Sequence, residues 1–255
     1  MEFTAAAPKY DRFMGRYSTS MAPGFADAAG VTGGMTVVDV GCGPGALTEE
    51  LARRVGAASV AAIDPAPRFV AACRERHPEA DVREGGAEAL PWPDGAFDAA
   101  LCSLVIAFMR DPEQGLREMA RVTRPGGTVA ACMWDTAGGG MTMLSTFWAA
   151  ARSVDAAAPG EQRRAGVTEG DLGDRFRRAG LADVSEGALH ARVDYADFDD
   201  LWEPFTYGVG PAGQYLIGLP AEQQARVRDA VREVLPAGPF SLGARAWFAR
   251  GTVAS

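Results

Sequence analysis

A short β-branched run leads straight into a cluster of glycines. Met35 to Val40 ends in Gly41-Cys42-Gly43-Pro44-Gly45, and helical spacing begins at once, with Leu47, Leu51 and Val55 on one side. An apolar run of this length fits a strand buried on both faces of a parallel sheet. Glycines at 41, 43 and 45 let the backbone turn sharply and let a ligand approach with no Cβ in the way. Strand, glycine turn and helix in that order make the turn a candidate nucleotide-cofactor site at the carboxyl edge of an α/β sheet.

The same residues also read as G-x-G-x-x-A, closing on Ala46, with Asp64 at the distance expected for a ribose-binding acid. A nicotinamide dehydrogenase is therefore one candidate. Two residues oppose it. Asp39 would set a carboxylate beside a pyrophosphate, whereas beside an ammonium it is favourable. Pro44 removes a backbone N–H that a helix N-terminus would offer to phosphate. The turn suits a ligand with a cationic end and no phosphates.

Four segments in order strengthen that reading: Val37-Val38-Asp39-Val40-Gly41-Cys42-Gly43-Pro44-Gly45; Ala61-Ala62-Ile63-Asp64-Pro65; Ala87-Glu88-Ala89-Leu90-Pro91-Trp92 leading to Gly95-Ala96-Phe97-Asp98; and Glu118-Met119-Ala120-Arg121-Val122-Thr123-Arg124-Pro125-Gly126-Gly127. Through most of residues 10 to 135 the chain resembles the class I SAM-dependent methyltransferases, especially their small-molecule type 11, UbiE-like subgroup. The resemblance implies a Rossmann-like α/β fold with a seven-stranded, mostly parallel sheet whose last strand is antiparallel, and helical cap insertions. It implies a single domain, with a cofactor-binding core at about 31–135, 181–195 and 244–254, an N-terminal cover at 8–30, and a cap at about 136–180 and 196–243. The implied cofactor is S-adenosyl-L-methionine. Asp39, Gly41, Cys42, Gly43 and Gly45 would then hold its methionine moiety, with Tyr10, Arg16 and Tyr17 folding over that end. Asp64 and Pro65 would take the ribose, the Gly86-Ala87-Glu88 segment the adenine, and Ser103 would lie near the sulfonium. Members often carry an acid where this chain has Gly86, so the adenine contact falls to the Ala87 backbone and Glu88.

At 255 residues and 47% hydrophobic, the chain can bury one sizeable core and carry a cap over it. A formal charge of −8 disfavours a nucleic-acid substrate, whose phosphates call for a basic surface. Cys42, Cys73, Cys102 and Cys132 form no C-x-x-C pair and no cluster with histidine, so neither a metal site nor a disulfide scaffold is expected, and buried reduced thiols are. Without a signal core or a membrane-length apolar run, a cytoplasmic location and no membrane partner are expected. The partner expected is a small-molecule acceptor; nothing indicates an oligomeric state.

Strands are expected at Ser59–Ile63, at Val82–Glu84, over Phe97–Leu104 and Thr128–Met133, at about Val184–Val193, and at Ala244–Val253. Helices are expected over Ala46–Val55, Pro112–Val122 and Ala221–Leu235, with a turn at Arg124–Gly127. Gly208-Val209-Gly210-Pro211-Ala212-Gly213 is a formal G-x-G-x-x-G that follows an aromatic helical segment instead of a strand, so a flexible loop or lid hinge is the expectation. Large side chains after the fourth and fifth strands, among them Phe108, Trp134, Trp148, Trp202 and Tyr207, are the candidate acceptor contacts; packing of cap helices is the competing explanation.

A sulfonium methyl is already electrophilic, so transfer needs an in-line nucleophile and positioning more than a catalytic group, and a base only for a hydroxyl or acidic carbon. His77 reads as a surface residue at a helix end. His190 falls on the polar face of its strand. With Asp135 and Tyr207 it is a candidate base, and Glu203 and Ser103 are further polar contacts; no spacing singles one out. Two other readings are a SAM-binding enzyme of different chemistry, such as a cyclase, and a binding or regulatory protein.

Overall fold

The computed structural model describes residues 7–161 and 164–254. Seven strands form one sheet: β1 (Val37–Val40), β2 (Val60–Asp64), β3 (Asp81–Glu84), β4 (Phe97–Ser103), β5 (Thr123–Trp134), β6 (Ala182–Tyr195) and β7 (Phe240–Thr252). Their spatial order is β3-β2-β1-β4-β5-β7-β6. Only β7 runs against its neighbours, pairing antiparallel with both β5 and β6. This is the sheet implied by the resemblance. Val37 of β1 stands opposite Val60 on one side and Ala99 on the other. The chain steps from β1 outward through β2 to β3 and then crosses back to β4 on the other side of β1, and such a switch point opens a crevice at the carboxyl ends of the strands.

Around the sheet lie α1 (Ala7–Tyr10), a π-helical turn (Asp11–Gly15), α2 (Arg16–Ala28), α3 (Ala46–Val55), α4 (Pro67–Arg76), α5 (Pro112–Val122), α6 (Thr142–Val154), α7 (Asp171–Arg178), α8 (Phe198–Trp202), α9 (Gly210–Gly218) and α10 (Ala221–Glu233). α3 and α5 have the expected bounds, because their apolar spacing and start signals agree. In α5, Asp111 accepts the Gln114 N–H at 2.9 Å as the N-cap, Pro112 follows in the first turn, and Leu116, Met119 and Val122 are buried.

Two local expectations are corrected. The segment Gly208 to Gly213 is not a loop or hinge. Gly208, at φ 69°, closes the turn Glu203–Tyr207, and the rest of the motif opens α9, with Pro211 in the first turn where its missing N–H costs nothing. The turn expected at Arg124–Gly127 lies within β5: Gly126, at φ 73°, donates its N–H to the Val253 carbonyl, so the segment stays attached to the sheet as an irregularity.

The aromatic residues after β5 pack mostly on one another. Phe147 of α6 stacks on Phe205 at 4.6 Å between centroids, Trp148 meets Tyr215 at 5.3 Å, and Phe198 stacks on Trp202 at 5.9 Å. Phe13 from the N-terminal turn sets its edge against Phe205 at 5.0 Å. The cluster joins the N-terminal cover to the helices after β5.

Candidate active site

The glycine turn is anchored to the neighbouring strand. The N–H groups of Gly41 and Cys42 both donate to the Ile63 carbonyl, at 2.7 and 3.0 Å. Gly41 must be glycine on two counts: φ is 79°, and a Cβ would lie 2.5 Å from both γ-carbons of Val105. Val105 belongs to the loop leaving β4, so the turn and that loop are fitted to each other. The preceding residue, Leu104, has φ 63°, a strained conformation for a branched side chain at the strand end.

Asp39 in β1 is fully buried behind the turn. Its Oδ2 accepts the Thr48 hydroxyl at 2.7 Å, while Oδ1 has no hydrogen-bond partner among the described residues. Burial pushes the carboxyl up to about 7, against the hydroxyl's opposing effect, and Asp64 adds to the rise. Asp64 ends β2. Its Oδ2 accepts the Gly43 N–H at 3.0 Å and its Oδ1 the Ala66 N–H at 2.8 Å, leaving a lone pair on each oxygen. Pro65 beside it is exposed. Around Gly43 nothing among the described residues lies within 4 Å of where a Cβ would be. An orphaned carboxylate oxygen, a second carboxylate with free lone pairs and open space above the turn fit S-adenosyl-L-methionine: an ammonium for Asp39, ribose hydroxyls for Asp64.

The N-terminal segment covers this turn. Tyr10 packs on Phe69 of α4 at 5.4 Å; burial, with the nearby Asp64 charge contributing, pushes its hydroxyl up to about 12. Arg76 donates to the Pro44 carbonyl at 3.0 Å and to Asp11 at 2.5 Å, binding the cover to the turn. The structure places Arg16 and Tyr17 otherwise than the resemblance implied. Arg16 pairs with Asp200 at 2.9 Å and lies over the Tyr195 ring, and Tyr17 is buried, accepting the Tyr195 hydroxyl at 3.0 Å and meeting Trp134 edge-on. Both tie α2 to β6 and β5.

Beyond β3, Gly86, Ala87 and Glu88 form a loop held from below. Glu118 accepts the Leu90 N–H at 2.8 Å, and Arg121 donates to the Leu90 and Trp92 carbonyls at 2.9 Å each. The third and fourth sequence segments are thus one contact. Glu88 is engaged with the backbone N–H of Arg110 at 2.8 Å. Ala87, buried, lies against Gly115 of α5, which Met109 also packs on.

Acceptor-side candidates scatter. A cavity of about 50 Å³ lies at the carboxyl ends of β4 and β5, lined by Ala107, Phe108, Met133, Thr136, Glu161, Arg164, Val167 and Pro211. Phe108 faces it and is 39% exposed. Glu161 accepts the Trp148 indole N–H at 2.9 Å, and burial raises its carboxyl above the usual range. Ser103, half-buried, contacts the Cys132 sulfur. Trp148 and Trp202 sit in the aromatic cluster and Trp134 is buried beside Tyr17. Asp135 is 1% exposed, accepting the Gly138 N–H at 2.8 Å and Arg245 Nε at 2.9 Å, so it closes a loop beside β7. Tyr207 donates to Glu203 at 2.7 Å and accepts from Arg12 at 3.1 Å, an outer network between cover and cap. His190 lines a separate open groove with Gly138–140, Arg192, Ser241 and Arg245.

His77 is corrected. It is 6% exposed, not a surface residue, and a Cβ on Gly45 would lie 3.0 Å from its Nε2, so it packs under the turn. Charged neighbours at 74 to 76 point sequence reasoning outward, yet the i, i+4 step from Cys73 sets His77 on the inner face of the helix end. Thr48 and Glu161 were also missed. Thr48 stands nine residues after Asp39 on the buried side of α3, a signal available in the sequence; Glu161 lies in irregular chain with no periodic signal.

Among the described residues no group of His, Cys, Asp and Glu could hold a metal ion. No helix among them is long and apolar enough to cross a membrane.

A family model described as a methyltransferase domain matches residues 38–131, from β1 through most of β5. A demethylmenaquinone methyltransferase of Mycolicibacterium gilvum is 34% identical over 176 residues, 68% of this chain and 72% of the relative. The chain belongs to the class I SAM-dependent methyltransferases. A demethylmenaquinone methyltransferase of Renibacterium salmoninarum is 34% identical over 129 residues, 49% of this chain; the match spans about half of that relative, 54%. Among solved structures the YcgJ protein of Bacillus subtilis shares the fold, with a TM-score of 0.58 at 17% identity over 92% of this chain and 98% of that one. The cofactor of this methyltransferase is S-adenosyl-L-methionine.

Proposed function

We propose that this methyltransferase moves the methyl group of S-adenosyl-L-methionine to a small apolar or aromatic acceptor by in-line displacement at carbon. The observation that carries the reading is the small cavity at the ends of β4 and β5, walled by Ala107, Phe108, Met133 and Val167 together with Thr136, Glu161 and Arg164, beside the loop fitted to the glycine turn. When bound, the cofactor supplies a methyl on a positively charged sulfur, which needs only a well-placed nucleophile. Asp39 binds its ammonium and Asp64 its ribose hydroxyls. Tyr10 and the Asp11–Arg76 contact exclude water from that end. Ala107, Phe108, Met133 and Val167 hold the acceptor ring.

Glu161 is the group in the cavity wall able to take a proton from an acceptor hydroxyl, its affinity for protons raised by burial and its orientation set by Trp148. The names of the demethylmenaquinone methyltransferase relatives support a quinone-type acceptor, reduced for transfer. At about 50 Å³ the cavity admits less than such a ring, so the exposed Phe108 side chain swings aside as the acceptor enters. Incubation with S-adenosyl-L-methionine and a reduced naphthoquinone, reading S-adenosylhomocysteine and methylated product by mass spectrometry, tests this. Product formation that falls at least tenfold in Glu161→Gln, with cofactor affinity unchanged, supports the role of Glu161. Binding of cofactor with no transfer to quinols, catechols or other phenols would overturn the aromatic-acceptor reading.

A further inference from the structure

Beneath the glycine turn two cysteines touch. Cys42 lies between Gly41 and Gly43 and packs in one small cluster with Cys73 on α4; the Cys42 thiol donates to the Gly43 carbonyl at 3.5 Å and the Cys73 thiol to the Thr48 hydroxyl at 3.7 Å. Both belong to a small buried cluster with Ala62, Val70 and Val82, separate from the main core. The contact reaches the cofactor site by two routes. Cys73 lies 3.7 Å from the Thr48 hydroxyl, which in turn donates to Asp39. The Cys73 sulfur is also 3.2 Å from where a Cβ on Gly45 would stand. Of the pair, Cys42 is the less buried, at the floor of the space above Gly43.

We propose that Cys42 and Cys73 form a reversible disulfide that pulls the glycine turn onto α4 and abolishes cofactor binding. With hydrogen peroxide as oxidant, one sulfur attacks the peroxide, the O–O bond breaks, and a sulfenic acid forms as water leaves. The second sulfur then attacks the first, the S–O bond breaks, and a second water leaves. Two thiols give up two electrons and two protons, and the peroxide is reduced to two waters. A disulfide brings the sulfurs to about 2 Å, closer than any thiol hydrogen bond. The movement falls on Cys42, whose flanking glycines at φ 79° and 54° give way most easily. It draws the Gly43 N–H from Asp64 and tilts the turn away from the position fitted to Val105. Because cofactor covers the open side of the turn, binding and oxidation exclude each other, and each must oppose the other by the same factor. Cys102 and Cys132 provide an internal contrast. Cys102 stands opposite Ala131, and Cys132 opposite Ser103, so the two thiols point to opposite faces of the sheet and cannot bridge.

This inference rests on the cofactor site and not on the acceptor. The test is treatment of the full chain with hydrogen peroxide, followed by peptide mapping and titration with S-adenosylhomocysteine. The expected result is a Cys42–Cys73 linked peptide, at least tenfold weaker binding, recovery with dithiothreitol, and slower linkage when S-adenosylhomocysteine is present. Cys73→Ala should bind the ligand as the reduced protein does and be indifferent to peroxide. Absence of the linked peptide, or the same loss of affinity in Cys73→Ala, would overturn the proposal. Should Cys73→Ala fail to fold, the linked peptide and its suppression by ligand in the unmodified sequence decide the matter. If the reduced protein binds no S-adenosylhomocysteine, the cofactor assignment fails instead, and the peptide map alone judges the pair.

Discussion

Asp39 is held in the folded chain at a cost that a ligand can remove. Burial lifts its carboxyl from an ordinary 3.8 to about 7, a difference on the order of a few kcal/mol. Between those values the folded protein holds a proton that the unfolded chain has lost, so this group's contribution to stability falls as pH rises from about 4 to 7 and is flat above. Asp39→Asn should therefore make the ligand-free protein more stable at pH 8 and remove that part of its pH dependence, as read by thermal unfolding from pH 5 to 8, while weakening cofactor binding. An ammonium on the orphaned Oδ1 returns the carboxyl to its charged form, so calorimetry in buffers of different ionisation enthalpy should register proton release on binding below pH 7. Asp64→Ala should lose about 1–3 kcal/mol of cofactor affinity, the scale of a charge-assisted contact, with little change in the fold; an unchanged Kd would remove Asp64 from the site. Asp39 and Asp64 were legible in the sequence because each ends or interrupts an apolar strand at a fixed distance from the glycines. His77 was not, since its burial depends on α4 lying over the turn. Arg16 and Asp135 were misleading for a related reason: each finds a partner, Asp200 or Arg245, far away in sequence.

The turn between β1 and α3 is set by steric fit more than by hydrogen bonds. Gly41→Ala forces a Cβ into Val105 at a left-handed φ, a combination that should cost at least about 1–3 kcal/mol and erase stabilisation by S-adenosylhomocysteine. Combining it with Val105→Ala removes the overlap but not the backbone strain, so partial recovery of melting temperature without full recovery of affinity is expected. The helices after β5 behave as core. Trp202→Ala empties a site bounded by Phe147, Phe198 and Phe205, and about 3–5 kcal/mol of stability should be lost in denaturant titrations. A variant of native stability with altered acceptor preference would restore Trp202 to the acceptor site. Elements whose local signals agree, such as α3 and α5, were legible to the residue. α9 was not, because glycine and proline that usually punctuate loops here occupy its first turn.

Across the molecule, one crevice serves a cofactor with a cationic end, and ligands that bind only the folded state raise its melting temperature. S-adenosyl-L-methionine and S-adenosylhomocysteine should do so, and NAD and NADP should not; preferential stabilisation by a dinucleotide would return the glycine turn to its rival reading. The strand order was available from the resemblance, whereas the pairing of cover with cap through Phe13 and Phe205 involves residues nearly two hundred positions apart and leaves no periodic trace. That order also governs how the chain can be made. β6 precedes β7 in sequence, yet its strand partner in the sheet is β7. A ribosome adding about 5–20 residues per second leaves β6 for several seconds with backbone groups open to any other strand it meets. During that interval Arg192 and Asp194, on the outward face of β6, act as gatekeepers, keeping neighbouring nascent chains apart until β7 emerges to take the vacant place.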